Sequence, residues 1–527
     1  MDIREIEKII DDAHKLHPFF TNSKRNATIK LLVTFEDMCS LSMAESILNP
    51  MALTQIREYM DALNMALKWV DSCCTDELEG RLVFSEEDYS GASELMLNYA
   101  LPYSVICSGY IAYNRKRMTA DVRDKVVEFN LRDEQNKSAW ADIVRETEND
   151  PLDAMMNISN QVELLYSSEQ LKKNSFVENG QLCYSLTDSV IETFKKIATT
   201  QWELTKTLPA SWKFDEFTLA EYREVWIAIT TLCNIHMVAC TTIDDADIRL
   251  SQTLIMKNKD EIIGFLSTES GIDAQTIRRI IDYITYEPKR RNGDIMYQPI
   301  IQFEDTVVIT PFLFMGSRPE RNLLSLINAR HDSEHSKQVN DLEGLMVSEL
   351  DSVIQESDQI LVRRHKVIPV SDIDYIILDK STNTALLCEI KWFSAADSSQ
   401  EVYAREDDIN HGCEQIETIM AYAMKDKKEF FKRLFNIEDG EEVDLFCCVI
   451  AKHNIRTQNK YVPVIDLKRI KELFLNYPVN SVFHKIRNHE YELEIPESGE
   501  ITHRDVDYAG YKFRIPAIAF GEEILDF

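Results

Sequence analysis

The chain has 527 residues, of which 44% are hydrophobic and 28% are charged, and its formal net charge is −31. This length suits two or three globular domains, and the acidity excludes a protein that coats nucleic acid with its general surface, because phosphate binding needs clustered lysine and arginine. Glycine and proline, at 14 residues each, are too scarce for a chain of short strands and turns, so we expect long helices.

The cysteines and the N-terminal segment indicate a protein of the reducing cytoplasm. The 11 cysteines are scattered, and no two have the CxxC spacing of a zinc ribbon or a redox motif. Residues 3–16 place apolar side chains at helical spacing between charged ones, which is not the pattern of a signal peptide. We therefore expect a cytoplasmic protein.

Residues 1–285 are predicted to form a mostly helical region. Amphipathic stretches such as 51–70 and 188–206 recur between short polar connections. The run 225–243 approaches the roughly 20 residues that span a bilayer, but threonine, asparagine and histidine side chains interrupt it. We interpret it as a buried helix and not as a membrane span, because lipid penalises unsatisfied polar groups.

A short β-hairpin element is predicted at 286–335. Two runs, 296–303 and 306–314, have the composition of strands and meet at a polar turn, 304–305. Prolines in both runs suggest exposed edges. This element would link the helical region to the domain that follows.

Residues 336–480 have the element order of an α/β domain with a central mixed sheet. The order is helix, three strands, helix, two strands and helix, at 339–354, 359–367, 373–378, 385–393, 413–425, 444–451, 461–466 and 467–475. Residues 481–527 alternate apolar and polar side chains and are predicted to form a β-rich C-terminal tail. The fold class we expect is α+β and multidomain.

Two adjoining strands of this domain carry a set of residues suited to metal chemistry. Side chains alternate along a strand, so Glu389 and Lys391 point to one face while Ile390 points to the other. Asp374 begins the preceding strand, and pairing across the hairpin can bring its carboxylate to the same edge. Two carboxylates suit Mg²⁺, which also keeps waters and binds substrate phosphate and can activate water. Lys391 would orient that water and offset charge at the phosphate.

This pattern resembles the PD-(D/E)XK nuclease superfamily of restriction-endonuclease-like enzymes, over roughly residues 336–477. The shared features are an acidic helix, an aspartate at a strand start, and Glu-x-Lys at the end of the next strand. The resemblance implies that Asp374 and Glu389 bind Mg²⁺, for which Mn²⁺ can substitute, and that Lys391 is the catalytic lysine. Ile373 stands where the superfamily often has proline.

The resemblance also implies two site residues on helices. The first core helix of the superfamily often supplies a glutamate, for which Glu343 is our choice and Glu349 the alternative. The helix after Glu-x-Lys often carries a glutamine, and Gln415 matches that position.

A basic segment precedes the Asp374 strand in an otherwise acidic chain. Arg363, Arg364 and Lys366 are expected to contact the phosphate backbone of nucleic acid. A solvated strand edge is the alternative interpretation.

Together these features predict a metal-dependent endonuclease that hydrolyses nucleic-acid phosphodiester bonds, with DNA favoured over RNA as substrate. The similarity to defence-associated nucleases implies an anti-phage role in microbes. One alternative is an RNA-cleaving nuclease with the same site. Another is a non-catalytic scaffold that retains a nuclease-like core. A homo-oligomer or a partner protein bound through the helical region is compatible with each function, and no membrane partner is expected.

Overall fold

The computed structural model is a mixed α/β protein and describes residues 2–46, 52–76, 84–132, 161–178, 181–214, 216–290, 293–330, 332–394, 396, 399–453, 459, 461–491, 499–520 and 523–526. Its α-helices are α1 (Ile3–Asp12), α2 (Lys24–Ser46), α3 (Ala52–Cys73), α4 (Glu86–Glu94), α5 (Leu101–Asn114), α6 (Gln161–Lys173), α7 (Asp188–Thr205), α8 (Leu219–Cys240), α9 (Ala246–Ser251), α10 (Lys259–Ser270), α11 (Ala274–Tyr283), α12 (Pro311–Met315), α13 (Pro319–Arg330), α14 (Asp332–Asp351), α15 (Ser399–Lys425), α16 (Lys427–Phe435), α17 (Leu467–Asn476) and α18 (Val479–Arg487). Its strands are β1 (Met118–Arg123), β2 (Val126–Leu131), β3 (Ser175–Glu178), β4 (Gln181–Tyr184), β5 (Lys213–Phe214), β6 (Phe217–Thr218), β7 (Ile255–Asn258), β8 (Ile300–Phe303), β9 (Thr306–Ile309), β10 (Ile360–Val367), β11 (Asp372–Asp379), β12 (Thr384–Lys391), β13 (Asp444–Ala451), β14 (Val464–Asp466), β15 (Gly499–Tyr508), β16 (Tyr511–Phe520) and β17 (Glu523–Asp526).

The long apolar run predicted to be a buried helix, 225–243, forms most of α8, which ends at Cys240. This helix begins with a capping box in which the Thr218 hydroxyl and the Glu221 carboxylate satisfy each other's backbone N–H groups. Val225, Cys233 and Ile235 are fully buried. The prediction of a core helix is therefore confirmed.

A different stretch is the only one among the described residues that is long and apolar enough to cross a membrane, judged by length and composition alone. This stretch is Glu86–Asn114, which has 29 residues. In its most apolar 18-residue window, 44% of the residues are buried. Within it, Met96, Ile106 and Tyr110 contribute to apolar cores. The stretch therefore packs against apolar cores as a core helix does. Length and composition alone do not distinguish such a helix from a membrane span.

The predicted β-hairpin is present but is shorter than expected and belongs to a three-stranded sheet. β8 and β9 pair antiparallel around the turn at 304–305, and β7 pairs with the other edge of β9. The second strand ends at Ile309, because Pro311 occupies the first turn of α12, where its missing N–H costs nothing. The expected strand over 306–314 is thus wrong in its last residues.

A five-stranded mixed sheet forms the centre of the C-terminal half, with strand order β10-β11-β12-β13-β14. The β10-β11-β12 part is antiparallel, whereas β13 and β14 run parallel to β12. One face packs against α14, α17 and α18, and the other packs against α15 and α16. The predicted elements occur in the predicted order, but α15 begins at Ser399, well before the predicted start at 413, and α16, which was not predicted, follows it before β13.

Another five-stranded sheet joins the two ends of the chain. The hairpin β1-β2 pairs through β2 with β16, which also pairs with β15 and β17. The β2–β16 pairing is parallel, with Val127 opposite Phe513. The sequence predicts strands in the tail, but its mostly helical prediction for residues 1–285 does not include β1 and β2. The strands of the tail are therefore part of the N-terminal core, because Phe513 packs with residues of α1 and α5. The predicted β-rich tail is wrong at its start, because 481–487 lie in α18, which packs on the central sheet.

A buried glutamate of α13 holds the chain before β5, and its removal should be measurable. Glu320 is 1% exposed, and its Oε2 accepts hydrogen bonds from the backbone N–H groups of Thr207 and Leu208, the latter at 2.7 Å. Replacing Glu320 with alanine should lower the free energy of unfolding by about 2 kcal/mol, because the buried Leu208 N–H loses its acceptor. Urea denaturation followed by circular dichroism measures this change. The exposed Glu192→Ala variant should stay within about 0.5 kcal/mol of the parent, and an equal effect of both substitutions would contradict the prediction.

Candidate active site

The register of β11 and β12 places two carboxylates opposite each other at one end of the central sheet. The last pair of this ladder is Tyr375 and Cys388, so the next positions outward are Asp374 and Glu389, which face each other across the strands. The Asp374 Oδ2 accepts a hydrogen bond from the backbone N–H of Ile390 at 2.8 Å. This bond across the strands fixes the aspartate beside the glutamate.

Lys391 connects the strands to helix α15. Its Nζ donates to Glu389 Oε1 and to Gln415 Oε1, both at 2.8 Å. A Cβ atom at Gly412 would lie 3.1 Å from Cε of Lys391, which is closer than an unstrained packing contact. The glycine therefore lets α15 approach the strand closely enough for Gln415 to reach the lysine.

The structure distinguishes between the two candidate glutamates of α14. The charges of Asp374 and Lys391 act on Glu343, and the backbone of Trp392 lies close enough to lower its pKa. Glu349 instead pairs with Lys452 at 3.4 Å and Lys471 at 2.7 Å. The first choice, Glu343, is thus the one that lies at the end of β12 with Asp374, Glu389, Lys391 and Gln415.

Burial and mutual repulsion perturb the acidic groups of this cluster. Burial and then the charge of Asp374 raise the pKa of Glu389 to about 7, while Lys391 opposes the shift. Burial also raises the pKa of Asp374, against the hydrogen bond from Ile390 and the charge of Lys391. Burial and the charge of Asp374 raise the pKa of Glu343. Three carboxylates thus share one lysine, which leaves an excess of negative charge that a cation would offset.

Glu349 behaves in the opposite way. Partial burial raises its pKa, but hydrogen bonds and charges from Lys471 and Lys452 outweigh that effect and hold the pKa below its usual value. A glutamate already neutralised by two lysines has little need of a metal ion. It ties α14 to α17 and to the end of β13.

The donor set at this site fits Mg²⁺. Among the described residues, no group of three or more histidine, cysteine, aspartate or glutamate side chains forms a ready-made metal cluster. Mg²⁺ does not require such a cage, because it binds through one or two carboxylates together with waters and substrate phosphates. Asp374 and Glu389 provide two carboxylates side by side, and the excess negative charge of the cluster favours a divalent ion.

Metal affinity should depend on pH because protons compete for Glu389. With its pKa near 7 in the metal-free protein, the affinity for Mn²⁺ should rise about tenfold per pH unit below pH 7 and level off above it, since only the carboxylate form binds. Calorimetric titration with Mn²⁺ at several pH values measures this slope. The Glu389→Gln variant should bind more weakly and with a shallower pH dependence. An affinity that stays constant below pH 7 would contradict the assignment of Glu389 as a ligand.

Two of the three predicted phosphate-binding residues are engaged within the domain. The Arg363 Nε donates to the backbone oxygen of Leu434 at 3.0 Å. Arg364 forms a bidentate pair with Asp351, in which its Nε donates to Oδ2 at 2.7 Å and its Nη2 donates to Oδ1 at 2.6 Å. Lys366 is exposed and lies opposite Ile373, next to Asp374. Of the three residues, Lys366 is therefore the one whose side chain the structure leaves exposed.

Sequence reasoning missed two positions beside the site. Gly412 stands alone in a helical pattern, which is a signal of close packing that could have been used. His365 lies in register opposite Asp374, has a positive φ of 46°, and exerts a charge effect that lowers the pKa of the aspartate. No local pattern singles out His365, because its position follows from the pairing of β10 with β11.

Comparison with known proteins adds no assignment to this geometry. No family model matches the sequence, and searches of curated proteins and of solved structures gave no match. The function of the site must therefore be inferred from its own side chains.

Proposed function

We propose that this chain is a metal-dependent nuclease of the PD-(D/E)XK type that hydrolyses phosphodiester bonds of nucleic acid, with DNA as the favoured substrate. One observation carries the proposal. The Lys391 ammonium lies between Glu389 and Gln415, at 2.8 Å from each, and Asp374 faces Glu389 from the neighbouring strand. A lysine held beside two partly buried carboxylates is the arrangement expected for a metal site that attacks phosphate.

Asp374 and Glu389 would hold the metal ion, which supplies a polarised phosphodiester and an activated water. Gln415 and Glu389 fix the Lys391 ammonium in place, so that its charge faces the negative charge that develops on the phosphate in the transition state. Fixed donors of this kind need no rearrangement at the moment of reaction. Glu343 lies within range of the charges of Asp374 and Lys391, so its carboxylate adds to the negative charge that favours a metal ion at the site.

The proposal is tested by incubating the purified protein with supercoiled plasmid, circular single-stranded DNA and structured RNA in Mg²⁺, Mn²⁺ or EDTA. Circular substrates report internal cleavage and exclude exonucleases that need an end. Cleavage in metal but not in EDTA is expected. If only RNA were cleaved, RNA and not DNA would be the substrate. The absence of both cleavage and metal binding would support a non-catalytic scaffold that retains a nuclease-like core.

The two glutamates of α14 offer a matched pair within one helix. Replacing Glu343 with glutamine should lower the cleavage rate about 10- to 100-fold, because it removes a charge that supports the metal site without removing a predicted ligand. The Glu349→Gln variant should keep nearly the parental rate, since that side chain pairs with Lys452 and Lys471. Initial rates at saturating Mg²⁺ measure both. If the two variants lost activity equally, the placement of Glu343 at the site would be wrong.

A further inference from the structure

A cleft of about 320 Å³ adjoins the candidate active site. Its walls come from the end of β12, from α14 and from α15, and they include Asn340, Lys391, Trp392, Arg405, Asp408 and His411. The shared residue Lys391 makes the cleft continuous with the catalytic cluster. Whatever occupies the cleft therefore lies next to the bond that the site would cut.

The volume of the cleft suits one nucleotide and not a base pair. Pockets that hold drug-sized ligands measure about 300–1,000 Å³, and this cleft lies at the lower end of that range. One nucleotide is a molecule of that size. A base pair with both of its backbones is much larger, so a paired nucleotide cannot enter without separating from its partner.

Arg405 gives the cleft a cation with unused binding capacity. Its guanidinium lies over the Phe393 ring, 5.8 Å from the centroid, and donates to Ser394 at 3.3 Å and to Asp408 at 3.4 Å. Among the described residues, none accepts a hydrogen bond from its buried Nε. A guanidinium has five N–H donors, and the exposed 22% of the Arg405 side chain can donate to a phosphate oxygen or a base carbonyl in the cleft.

Trp392 adds an aromatic surface to the same wall. Its side chain is half-buried and packs against two apolar cores. Aromatic rings bind unpaired bases of any sequence by stacking, and removing one such ring weakens binding about tenfold or more. Tryptophan and arginine in one cleft thus combine the groups that recognise a base and a phosphate.

The charge of the chain argues in the same direction. Binding a duplex depends on many phosphate contacts along an extended basic surface, but the formal net charge here is −31, and Arg363 and Arg364 are engaged inside the domain. A single nucleotide needs only local contacts. Building on the nuclease function proposed above, we infer that the cleft binds one unpaired nucleotide, with Trp392 stacking on its base and Arg405 binding a phosphate, so that single-stranded nucleic acid is the substrate.

The inference is tested by fluorescence anisotropy in EDTA, where binding is measured without cleavage. Labelled single-stranded DNA, single-stranded RNA of the same sequence and a blunt DNA duplex serve as probes. Single strands should bind at least about tenfold more tightly than the duplex. Trp392→Ala should weaken single-strand binding about tenfold, and Trp392→Phe should restore most of it because the phenyl ring still stacks.

Arg405→Gln should also weaken single-strand binding, whereas Arg433→Gln, at an exposed position of α16, should not. These two variants keep the test decisive if Trp392→Ala does not fold. Equal affinity for the duplex, full affinity in Arg405→Gln, or unchanged binding by a folded Trp392→Ala protein would overturn the inference. Single-strand binding that depends on Trp392 without cleavage in Mg²⁺ or Mn²⁺ would support the cleft and contradict the nuclease function.

Discussion

Replacing Lys391 with methionine should lower the rate of metal-dependent cleavage by about three orders of magnitude. Methionine keeps the unbranched shape of the side chain but removes the ammonium that bonds to Glu389 and Gln415. The transition state would lose a fixed positive charge in a partly buried site, where such charges have their largest effect on rate. Single-turnover cleavage of the best substrate from the circular set gives this rate directly.

Metal binding separates loss of chemistry from loss of structure in this experiment. Lys391→Met should still bind Mn²⁺ in calorimetry, because Asp374 and Glu389 remain, and removal of the competing ammonium should favour the cation. The matched control is Lys428→Met, at an exposed position of α16, which should cut at the parental rate. A Lys391→Met protein that cuts within about tenfold of the parent would show that the lysine is not catalytic.

Replacing Phe513 with alanine should lower the free energy of unfolding by about 3–5 kcal/mol. Phe513 is fully buried in β16 and packs in the core that α1, α5 and the sheet of the two chain ends share. The substitution removes a phenyl ring from a core that cannot collapse fully around the cavity. Urea denaturation, read by tryptophan fluorescence and by far-UV circular dichroism, measures the loss.

Phe176→Ala is the matched control for this prediction. Phe176 lies on β3 and is 53% exposed, so its removal should change stability by less than about 0.5 kcal/mol. Hydrogen exchange of α1 should quicken in Phe513→Ala, because Ile3, Ile6 and Ile10 lose a packing partner. Unchanged stability in Phe513→Ala would contradict the close packing of the C-terminal strands on the N-terminal helices.

Much of the candidate site could be predicted because strands impose simple rules on side chains. Alternation placed Glu389 and Lys391 on one face, and the short turn between β11 and β12 fixed a register in which Asp374 faces Glu389. Helix positions were harder to assign. The choice between Glu343 and Glu349 depends on how α14 is rotated against the sheet, and the helical pattern alone does not specify that rotation.

Other parts of the structure depend on partners that local patterns do not identify. The pairing of β2 with β16 joins residues far apart in sequence, as in the contact of Arg514 with Glu128, which are 386 positions apart. Arg364 was predicted to meet phosphate, but Asp351 and Glu356 of the same domain reach it first. In an acidic chain, an arginine often pairs with carboxylates that the fold brings close to it, and the sequence alone does not show which ones these are.

The sheet that joins the two ends of the chain also sets the order in which the protein can be completed during synthesis. A ribosome that adds about 5–20 residues per second needs roughly 20–80 s to make the 386 positions between Glu128 and Arg514. For that time β2 has no β16 beside it, and its edge and the buried side chains of Val127 and Phe129 lack their final cover. An unpaired strand edge can pair with another chain and cause aggregation, and chaperones reduce that risk. Slower translation of the intervening region should therefore lower the yield of folded protein.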